Sequence, residues 1–227
     1  MIITIDGPAG SGKTTVARAL AKKLQIPLLE SGAFYRFITW ALLENNRDLG
    51  SFKEETELES FIDCLFSSLE VILEPEGTKL YFHGRELRTE LRSREVEAKV
   101  SEVSAHPLVR GKVGSLLRKL SSNRSLITEG RDMGTVVFPQ AGLKIYLTAD
   151  LEVRAKRRFK DVQDRDFEEV VHNLRQRDTL DSEREVAPLK KPVGAIEIDT
   201  TNLTVDEVVS KIESLIGERE CSTKRCF

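Results

Sequence analysis

The chain has 227 residues, of which 40% are hydrophobic, and this is enough for one domain of ordinary size with a substantial core. Its 35 lysines and arginines nearly balance 37 aspartates and glutamates, and the net charge of -2 argues against nucleic acid as the main partner, although local basic clusters can still bind small anions. Because no apolar run approaches the ~18 residues of a membrane span, we expect no membrane partner and a cytoplasmic location. Cys64, Cys221 and Cys226 lack metal-ligand spacing, which favours a reduced compartment without a structural disulfide.

The first motif is a glycine-rich loop at residues 7–14, GPAGSGKT, which fits the phosphate-loop pattern G-x-x-x-x-G-K-S/T. The apolar run 2–5 before it predicts a buried strand, and the apolar stripe within 16–24 predicts a helix. Backbone N–H groups and the helix dipole would hold phosphate there, while Lys13 reaches the outer phosphates and the Thr14 hydroxyl serves Mg²⁺. A plain glycine turn would not need a lysine and a hydroxyl residue at those two positions. The predicted phosphate-binding residues are Gly7, Pro8, Ala9, Gly10, Ser11, Gly12, Lys13, Thr14 and Thr15.

The next polar cluster, ESGAFYR at residues 30–36, joins a short apolar segment at 27–29 to a helix predicted from the apolar spacing of 34–42. Ser31 is as consistent with a helix cap as with a ligand contact. Arg36, in the first turns of that helix, favours an anion.

The middle of the chain changes its hydrophobic period. The apolar runs 69–73 and 80–82 flank Pro75-Glu76-Gly77 and predict a hairpin inserted among helices. We expect it to form a small second lobe at approximately residues 60–100. Helical spacing is found around it, at residues 58–66, 96–103 and 109–120.

The rest of the chain continues the alternation of short apolar strands with amphipathic helices. Further strands are predicted at residues 126–128, 143–147 and 195–198. The last helix begins with a capping box made by Thr204 and Glu207, and a polar tail is expected at 218–227. This order predicts an α/β fold in a single domain over residues 1–227, with a parallel sheet covered by helices on both faces.

A charged cluster, EGRDMGT at residues 129–135, follows the strand predicted at 126–128. Open parallel sheets bind ligands beyond the carboxyl ends of their strands. We therefore expect Glu129, Arg131 and Asp132 to face the same crevice as the phosphate loop.

Three arginines lie at i, i+3 and i+4 on another predicted helix, namely Arg154, Arg157 and Arg158. Cations side by side repel one another unless an anion neutralises them, and ATP phosphates beneath a closing lid at approximately residues 150–166 would do so. A solvated face beside Glu152 and Asp161 is the alternative.

Arg177, Asp181 and Arg184 have the spacing i, i+4 and i+7, which aligns them along one helix. From spacing alone we favour a ladder of ion pairs within that helix, worth only ~0.2–0.5 kcal/mol per pair.

These motifs together resemble the bacterial-type cytidylate kinase family, nearly from end to end. The resemblance rests on ITIDGPAGSGKT, ESGAFYR, the inserted hairpin, EGRDMGTVVFP, RAKRR and RDTLDSEREVAPL in the family's order. It implies a monomeric P-loop nucleoside monophosphate kinase with a core, a monophosphate-binding insert and an arginine lid. Such an enzyme transfers the γ-phosphoryl group of ATP to CMP or dCMP with Mg²⁺.

The resemblance also implies roles for individual residues. Base contacts fall on Ser101, Arg110 and Asp132. Phosphate contacts fall on Arg36, Arg131 and Arg184, and the sugar side on Tyr35, Arg177 and Asp181, with Ser31 in the same acceptor site. Lys13, Arg131, Arg157 and Arg158 would act on the transferred group, and Arg154 on ATP. For Arg177, Asp181 and Arg184, the resemblance thus implies a binding site in place of the ion-pair ladder that spacing alone favours.

Two positions depart from the family's pattern. Ala9 stands where some members have serine, which removes a side-chain contact to the acceptor, and Glu129 stands where some have aspartate. The longer carboxylate of Glu129 leaves open its action on Mg²⁺ through water.

Two other functions compete with this one. A P-loop kinase for UMP, AMP or shikimate would share the core but need different base-facing groups. A nucleotide-dependent switch is disfavoured, since the chain has no N/T-K-x-D motif for guanine.

Overall fold

The computed structural model describes residues 1–161 and 166–224; nothing is said below of residues 162–165 and 225–227, nor of the side chains of residue 161 and residues 219–224. Its strands are β1 (Ile2–Asp6), β2 (Leu28–Glu30), β3 (Leu69–Glu74), β4 (Gly77–Phe82), β5 (Arg85–Leu87), β6 (Leu126–Gly130), β7 (Leu143–Thr148) and β8 (Ile196–Asp199).

The helices separate these strands much as the hydrophobic periods predict. They are α1 (Lys13–Leu24), α2 (Ser31–Glu44), α3 (Glu55–Ser67), α4 (Arg94–Ala105), α5 (Pro107–Ser121), α6 (Leu151–Asp161), α7 (Phe167–Glu183) and α8 (Val205–Lys224). Single 3₁₀ turns lie at Leu49–Ser51 and Glu90–Arg92, and a π-helical turn lies at Met133–Val137.

Five strands form one sheet in the order β2-β6-β1-β7-β8, and all of its neighbouring pairs are parallel. The predicted parallel sheet is therefore confirmed. Because β1 lies at the centre, the loop that follows it emerges between the ends of β6 and β7. The strand order reverses at this point, and open α/β sheets bind ligands at such a place.

Both faces of this sheet are covered, because side chains alternate along each strand. Ile3 and Ile5 of β1 pack with apolar residues of α1 and α8 in one core cluster. On the other face, Leu29 and Leu126 belong to a second cluster that includes residues of α2, α3, α4 and α5. The layered α/β arrangement follows from this two-sided burial.

The inserted hairpin is confirmed, with β3 antiparallel to β4 and Pro75-Glu76 forming the turn. The structure adds β5, a third antiparallel strand that the sequence analysis did not predict, since Arg85–Leu87 carries no alternating apolar pattern. Leu80 and Leu87 belong to the same core cluster as the α2 side chains. The small sheet is thus packed into the core on one face of the large sheet.

At the end of the chain, α8 begins with the predicted capping box. The Thr204 N–H donates to Glu207 Oε2 over 2.8 Å, and the Glu207 N–H donates back to Thr204 Oγ1 over 3.3 Å. The expected tail at 218–227 proves helical as far as Lys224, and its last three residues lie outside the described part of the chain. Of the expected lid, α6 covers Leu151–Asp161, and 162–165 lie outside the described residues.

Candidate active site

A cleft of about 1560 Å³ opens at the carboxyl edge of the five-stranded sheet. It lies there because β1 and β6 end side by side, with Ile5 opposite Glu129 and Asp6 opposite Gly130. The phosphate loop after β1 and the charged cluster after β6 therefore line the same space. A pocket for one small ligand usually measures about 300–1,000 Å³, so this cleft is larger than a single small ligand needs.

The loop between β1 and α1 needs glycine where its backbone turns. Gly7 has φ +149°, and a Cβ on it would lie 2.1 Å from the carbonyl oxygen of Leu147. Gly12, the N-cap of α1, has φ +89°. An L-residue with a side chain rarely adopts such angles, so these glycines allow the loop to curl around the start of α1.

Lys13, the first residue of α1, is almost completely buried at the base of the cleft. Its Nζ donates to the carbonyl oxygen of Pro8 over 2.6 Å. Burial, together with the charge of Arg131, lowers the pKa of Lys13 well below its ordinary value. An anion beside Nζ would restore the charged form, because an opposite charge nearby favours ionisation.

Asp6, the last residue of β1, holds the segment after β6 that lines the other side of the cleft. Its two carboxylate oxygens accept hydrogen bonds of 2.8 Å from the backbone N–H groups of Met133 and Gly134. Burial raises the pKa of Asp6 to about 6. The π-helical turn that follows Asp132 is thereby attached to the strand that precedes the phosphate loop.

Asp132, Arg110 and Tyr35 form a buried group in the wall of the cleft. Arg110 Nη2 lies 2.6 Å from Asp132 Oδ2, and the Arg110 guanidinium lies 5.3 Å from the centre of the Tyr35 ring. Arg110 Nε and Arg184 Nη2 are buried and have no hydrogen-bond acceptor among the described residues. A ligand with acceptor atoms could accept hydrogen bonds from these two donors.

The Arg177, Asp181 and Arg184 cluster is not a ladder within one helix. Helix α7 ends at Glu183, so Arg184 lies just beyond it. Asp181 accepts a hydrogen bond of 2.8 Å from Nε of Arg131, the residue directly after β6, and lies 3.5 Å from Arg184 Nη1. Burial and the neighbouring Arg131 and Arg36 lower the pKa of Arg177 to about 10. Cations held this close together make a strongly anion-attracting wall.

The three arginines of α6 have separate partners. Arg154 pairs with Asp178 of α7 and donates to the carbonyl oxygen of Ala9 over 3.1 Å. Arg157 donates to both the side chain and the carbonyl oxygen of Thr200. Arg158 Nη2 lies 2.7 Å from Glu97 Oε2 of α4. The alternative of a solvated face beside Glu152 and Asp161 is therefore wrong for all three.

Most of the predicted site residues line the cleft. Those lining it are Ala9, Gly10, Ser11, Gly12, Lys13, Thr14, Thr15, Ser31, Tyr35, Arg36, Arg110, Arg131, Asp132, Arg157, Arg158, Arg177, Asp181 and Arg184, together with Glu129. Gly7, Pro8, Ser101 and Arg154 are not among the lining residues.

The two serines of the predicted site, Ser31 and Ser101, have different outcomes. Ser31 does not cap α2, since Glu30 is the N-cap residue and the Ser31 hydroxyl donates to the carbonyl oxygen of Glu129 over 2.8 Å. Ser101 is only partly buried on α4, and the nearby Ser104 lines the cleft and accepts from Arg110 Nη1 through its carbonyl oxygen. The base contact of Ser101 stays a prediction.

Sequence reasoning missed Thr200, Asp178 and Glu97. Thr200 Oγ1 lies 3.2 Å from the carbonyl oxygen of Ser11 and so joins the phosphate loop to Arg157. The Ala9 N–H donates to Asp178 over 3.3 Å. For Asp178 the only signal in the sequence was its place directly after Arg177.

Comparison with known proteins shows which family the chain belongs to. Residues 3–218 match the family described as cytidylate kinase. The chain belongs to the cytidylate kinase family. It is 41% identical over 221 residues to a cytidylate kinase of Fusobacterium nucleatum, covering 95% of this chain and 97% of the relative. It is also 41% identical over 223 residues to a cytidylate kinase of Carboxydothermus hydrogenoformans, covering 96% and 98%.

One solved structure resembles this cytidylate kinase family member in fold. It is an uncharacterized protein from Eubacterium ventriosum with a TM-score of 0.50 and 14% sequence identity, covering 96% of this chain and 98% of that one. At this identity the likeness concerns the fold alone. Within residues 1–161 and 166–224, we find no helix long and apolar enough to cross a membrane.

Proposed function

We propose that the protein transfers the γ-phosphoryl group of ATP to CMP or dCMP, which gives ADP and CDP or dCDP. The observation that carries the proposal is the buried group of Asp132, Arg110 and Tyr35, which lines the same cleft as the phosphate loop. Membership of the cytidylate kinase family supports it. We further propose that it acts as a monomer in the cytoplasm on these small molecules, without nucleic acid or membrane.

The chemistry of cytosine matches the base pocket proposed here. Cytosine offers an amino donor at position 4 and acceptors at N3 and O2. The Asp132 carboxylate would accept from the amino group, while Arg110, with Ser101, would donate to the acceptors. Uracil would turn a carbonyl toward Asp132, leaving buried polar groups mismatched. Sites built on such hydrogen bonds can discriminate by ~10⁴ or more.

The acceptor needs no general base, because a phosphate monoester has a second pKa of about 6 and is already an oxyanion near neutral pH. One oxygen of the CMP phosphate forms a bond to the γ-phosphorus, the β–γ bridging bond breaks, and ADP leaves with the electron pair. Arg36, Arg131 and Arg184 would hold the acceptor phosphate, and Tyr35, Arg177 and Asp181 its sugar side.

The residues acting on the transferred group would be Lys13, Arg131, Arg157 and Arg158, which line one cleft. Fixed cations in a site that excludes water stabilise the charge that is redistributed during phosphoryl transfer. Closure of α6 over the cleft would also keep water from replacing CMP as acceptor.

Mg²⁺ would accompany ATP. Thr14 lines the cleft at the start of α1, and no group of three histidine, cysteine or acidic residues in the described part of the chain forms a metal cage. This donor set fits Mg²⁺, which usually keeps several waters and binds substrate phosphates with few protein ligands. The Thr14 hydroxyl would hold the ion, and Glu129 would contact it through water. When bound, the ion would neutralise part of the negative charge on the phosphate oxygens.

A panel of acceptors tests the function. Purified protein is supplied with ATP, Mg²⁺ and one of CMP, dCMP, UMP, AMP or shikimate, and ADP is measured against a reaction without acceptor. We expect turnover with CMP and dCMP and very little with UMP. Equal turnover of UMP would contradict the cytidylate assignment, and ATP turnover without acceptor would favour a nucleotide-dependent switch.

A substitution at the base pocket sharpens this test. Asp132→Ala should lower kcat/KM for CMP far more than for UMP, because it removes the acceptor for the amino group. Asp132→Asn, which keeps the shape and guards against misfolding, should move the preference toward UMP, since its amide can donate to the uracil carbonyl. An unchanged CMP to UMP ratio in both variants would remove Asp132 from base recognition.

A further inference from the structure

Besides Asp132 and Asp181, a further acidic side chain lies among the arginines of the acceptor side of the cleft. Glu97 of α4 bridges two of them: its Oε1 lies 3.1 Å from Arg36 Nη2, and its Oε2 lies 2.7 Å from Arg158 Nη2. Arg36 Nε also donates to Oε1 over 3.4 Å. Glu97 thus joins α2, which carries Arg36, to α6, which carries Arg158.

The bridge is made by full charges. Burial acts to raise the pKa of Glu97, but Arg36 and Arg158 outweigh it and hold the pKa below its ordinary value. Glu97 also offsets part of the cation crowding at Arg177, whose pKa is lowered by burial, Arg131 and Arg36. Glu97 is therefore a carboxylate that neutralises arginines within a site for phosphates.

A carboxylate at this place opposes the binding of a phosphate in two ways. It occupies N–H groups of Arg36 and Arg158 that would otherwise bind phosphate oxygens, and like charges repel. An ion pair that only braced α4 against α6 would have no such effect on anions. Removal of the carboxylate should therefore strengthen phosphate binding if Glu97 competes with phosphate, and should not strengthen it if Glu97 is only a brace.

We propose that Glu97 is an internal counter-ion, which holds Arg36 and Arg158 until the phosphate of the acceptor nucleotide takes its place. Displacement of Glu97 would transfer Arg36 to the acceptor and release Arg158 toward the transferred phosphoryl group. Occupation of the acceptor site would in this way make the α6 arginine available. This inference rests on the proposed function, which assigns Arg36 to the acceptor phosphate.

Calorimetric titration of CMP into ATP-free protein tests the competition. Glu97→Gln should bind CMP about three- to tenfold more tightly, since one or two partly exposed ion pairs no longer compete. Glu97→Asp, which keeps the charge but is too short to bridge both arginines, should show a smaller gain. Glu102→Gln is the matched control, because Glu102 lies exposed on the same helix, beside Lys99, and should leave CMP binding unchanged.

The coupling to α6 has its own readout. With ATP and Mg²⁺ but without acceptor, Glu97→Gln should release ADP several-fold faster than wild type, because Arg158 is no longer held by Glu97. Unchanged ADP release would overturn the coupling. Weaker CMP binding in Glu97→Gln would overturn the competition and show a brace. An equal gain in CMP affinity in an Arg36→Ala background would show a general charge effect and overturn the specific displacement.

A failure of the proposed function can be distinguished from a failure of the proposal for Glu97. A wild-type protein that neither binds nor phosphorylates CMP would refute the function, while titration with inorganic phosphate would still test Glu97 directly. We expect the same direction of change for inorganic phosphate as for CMP. If phosphate affinity does not rise in Glu97→Gln, Glu97 does not compete with phosphate.

Discussion

At the scale of single residues, the cleft attracts anions because some of its cations are buried next to other cations. Lys13 is held at a lowered pKa, and Arg177 at about 10, because burial and neighbouring cations oppose their charges. A bound anion stabilises the charged form of such side chains. Binding therefore offsets the unfavourable free energy of burying these cations next to one another. We expect their removal to impair function more than stability.

Lys13→Met should therefore lower kcat by about 10²–10³ while leaving the fold intact, since one electrostatic contact to the transferred group is typically worth that much. Methionine matches the length and the apolar body of a buried lysine. The measurement is steady-state turnover of CMP, with thermal unfolding as the check on folding. Lys22→Met, at an exposed position of the same helix, is the control. Near-normal kcat in folded Lys13→Met protein would remove this loop from catalysis.

Asp6 makes a prediction about pH. Its pKa is about 6 in the folded chain and about 3.8 when exposed, so the folded chain holds more protons between these values. The contribution of Asp6 to the free energy of unfolding is therefore full at low pH and falls as pH rises, by about 2 kcal/mol between pH 4 and pH 7.

Asp6→Asn removes this titration. Urea unfolding of both proteins across that range should show the wild type losing stability relative to the variant as pH rises. Parallel profiles would mean that the pKa of Asp6 is not raised. Above pH 6, where the wild-type side chain is a carboxylate, the variant should also lose one of the two N–H hydrogen bonds at Met133 and Gly134, because an amide has only one acceptor oxygen.

At the scale of elements, α6 connects the phosphate loop to three other parts of the fold. Arg154 reaches Asp178 of α7, Arg157 reaches Thr200 after β8, and Arg158 reaches Glu97 of α4. Helical spacing alone places the three side chains on one face, but the surrounding elements draw them apart. These three contacts join α6 to α7, to the end of β8 and to α4.

Arg157→Ala and Arg158→Ala should each lower kcat more than they raise the KM for CMP, because these cations matter most as charge redistributes in the transition state. Full kinetic profiles with CMP and ATP measure the split. Lys156→Ala, an exposed change on the same helix beside Glu152, should leave both constants near wild type. An effect confined to the KM for CMP would move these arginines to the acceptor site.

At the scale of the whole molecule, the packing of α8 on the sheet indicates how much of the end of the chain the fold needs. Helix α8 packs on the sheet through Val208, Val209, Ile212 and Ile216, all of which precede the tail expected at 218–227. Removal of Cys221 to Phe227 should therefore leave CMP turnover unchanged and the unfolding temperature little altered, because the end of a helix beyond its packed stripe contributes few contacts. A large loss of stability would show that α8 needs its last turn.

The sequence by itself determined the phosphate loop, the parallel sheet and the inserted hairpin. These features depend on local patterns: glycines with positive φ before a helix, apolar runs of strand length, and a turn between two alternating runs. The likeness to cytidylate kinases was visible for the same reason, since it rests on motifs that are each continuous in the chain.

Only the tertiary structure decided which charged groups meet. Arg131 pairs with Asp181, Arg36 and Arg158 share Glu97, and the Ser31 hydroxyl binds the carbonyl oxygen of Glu129 instead of capping α2. Residues far apart in the sequence form each of these contacts, so their distances are set by how helices and strands pack. Spacing along one helix therefore could not predict them, because an arginine reaches whichever carboxylate the neighbouring element brings within about 4 Å.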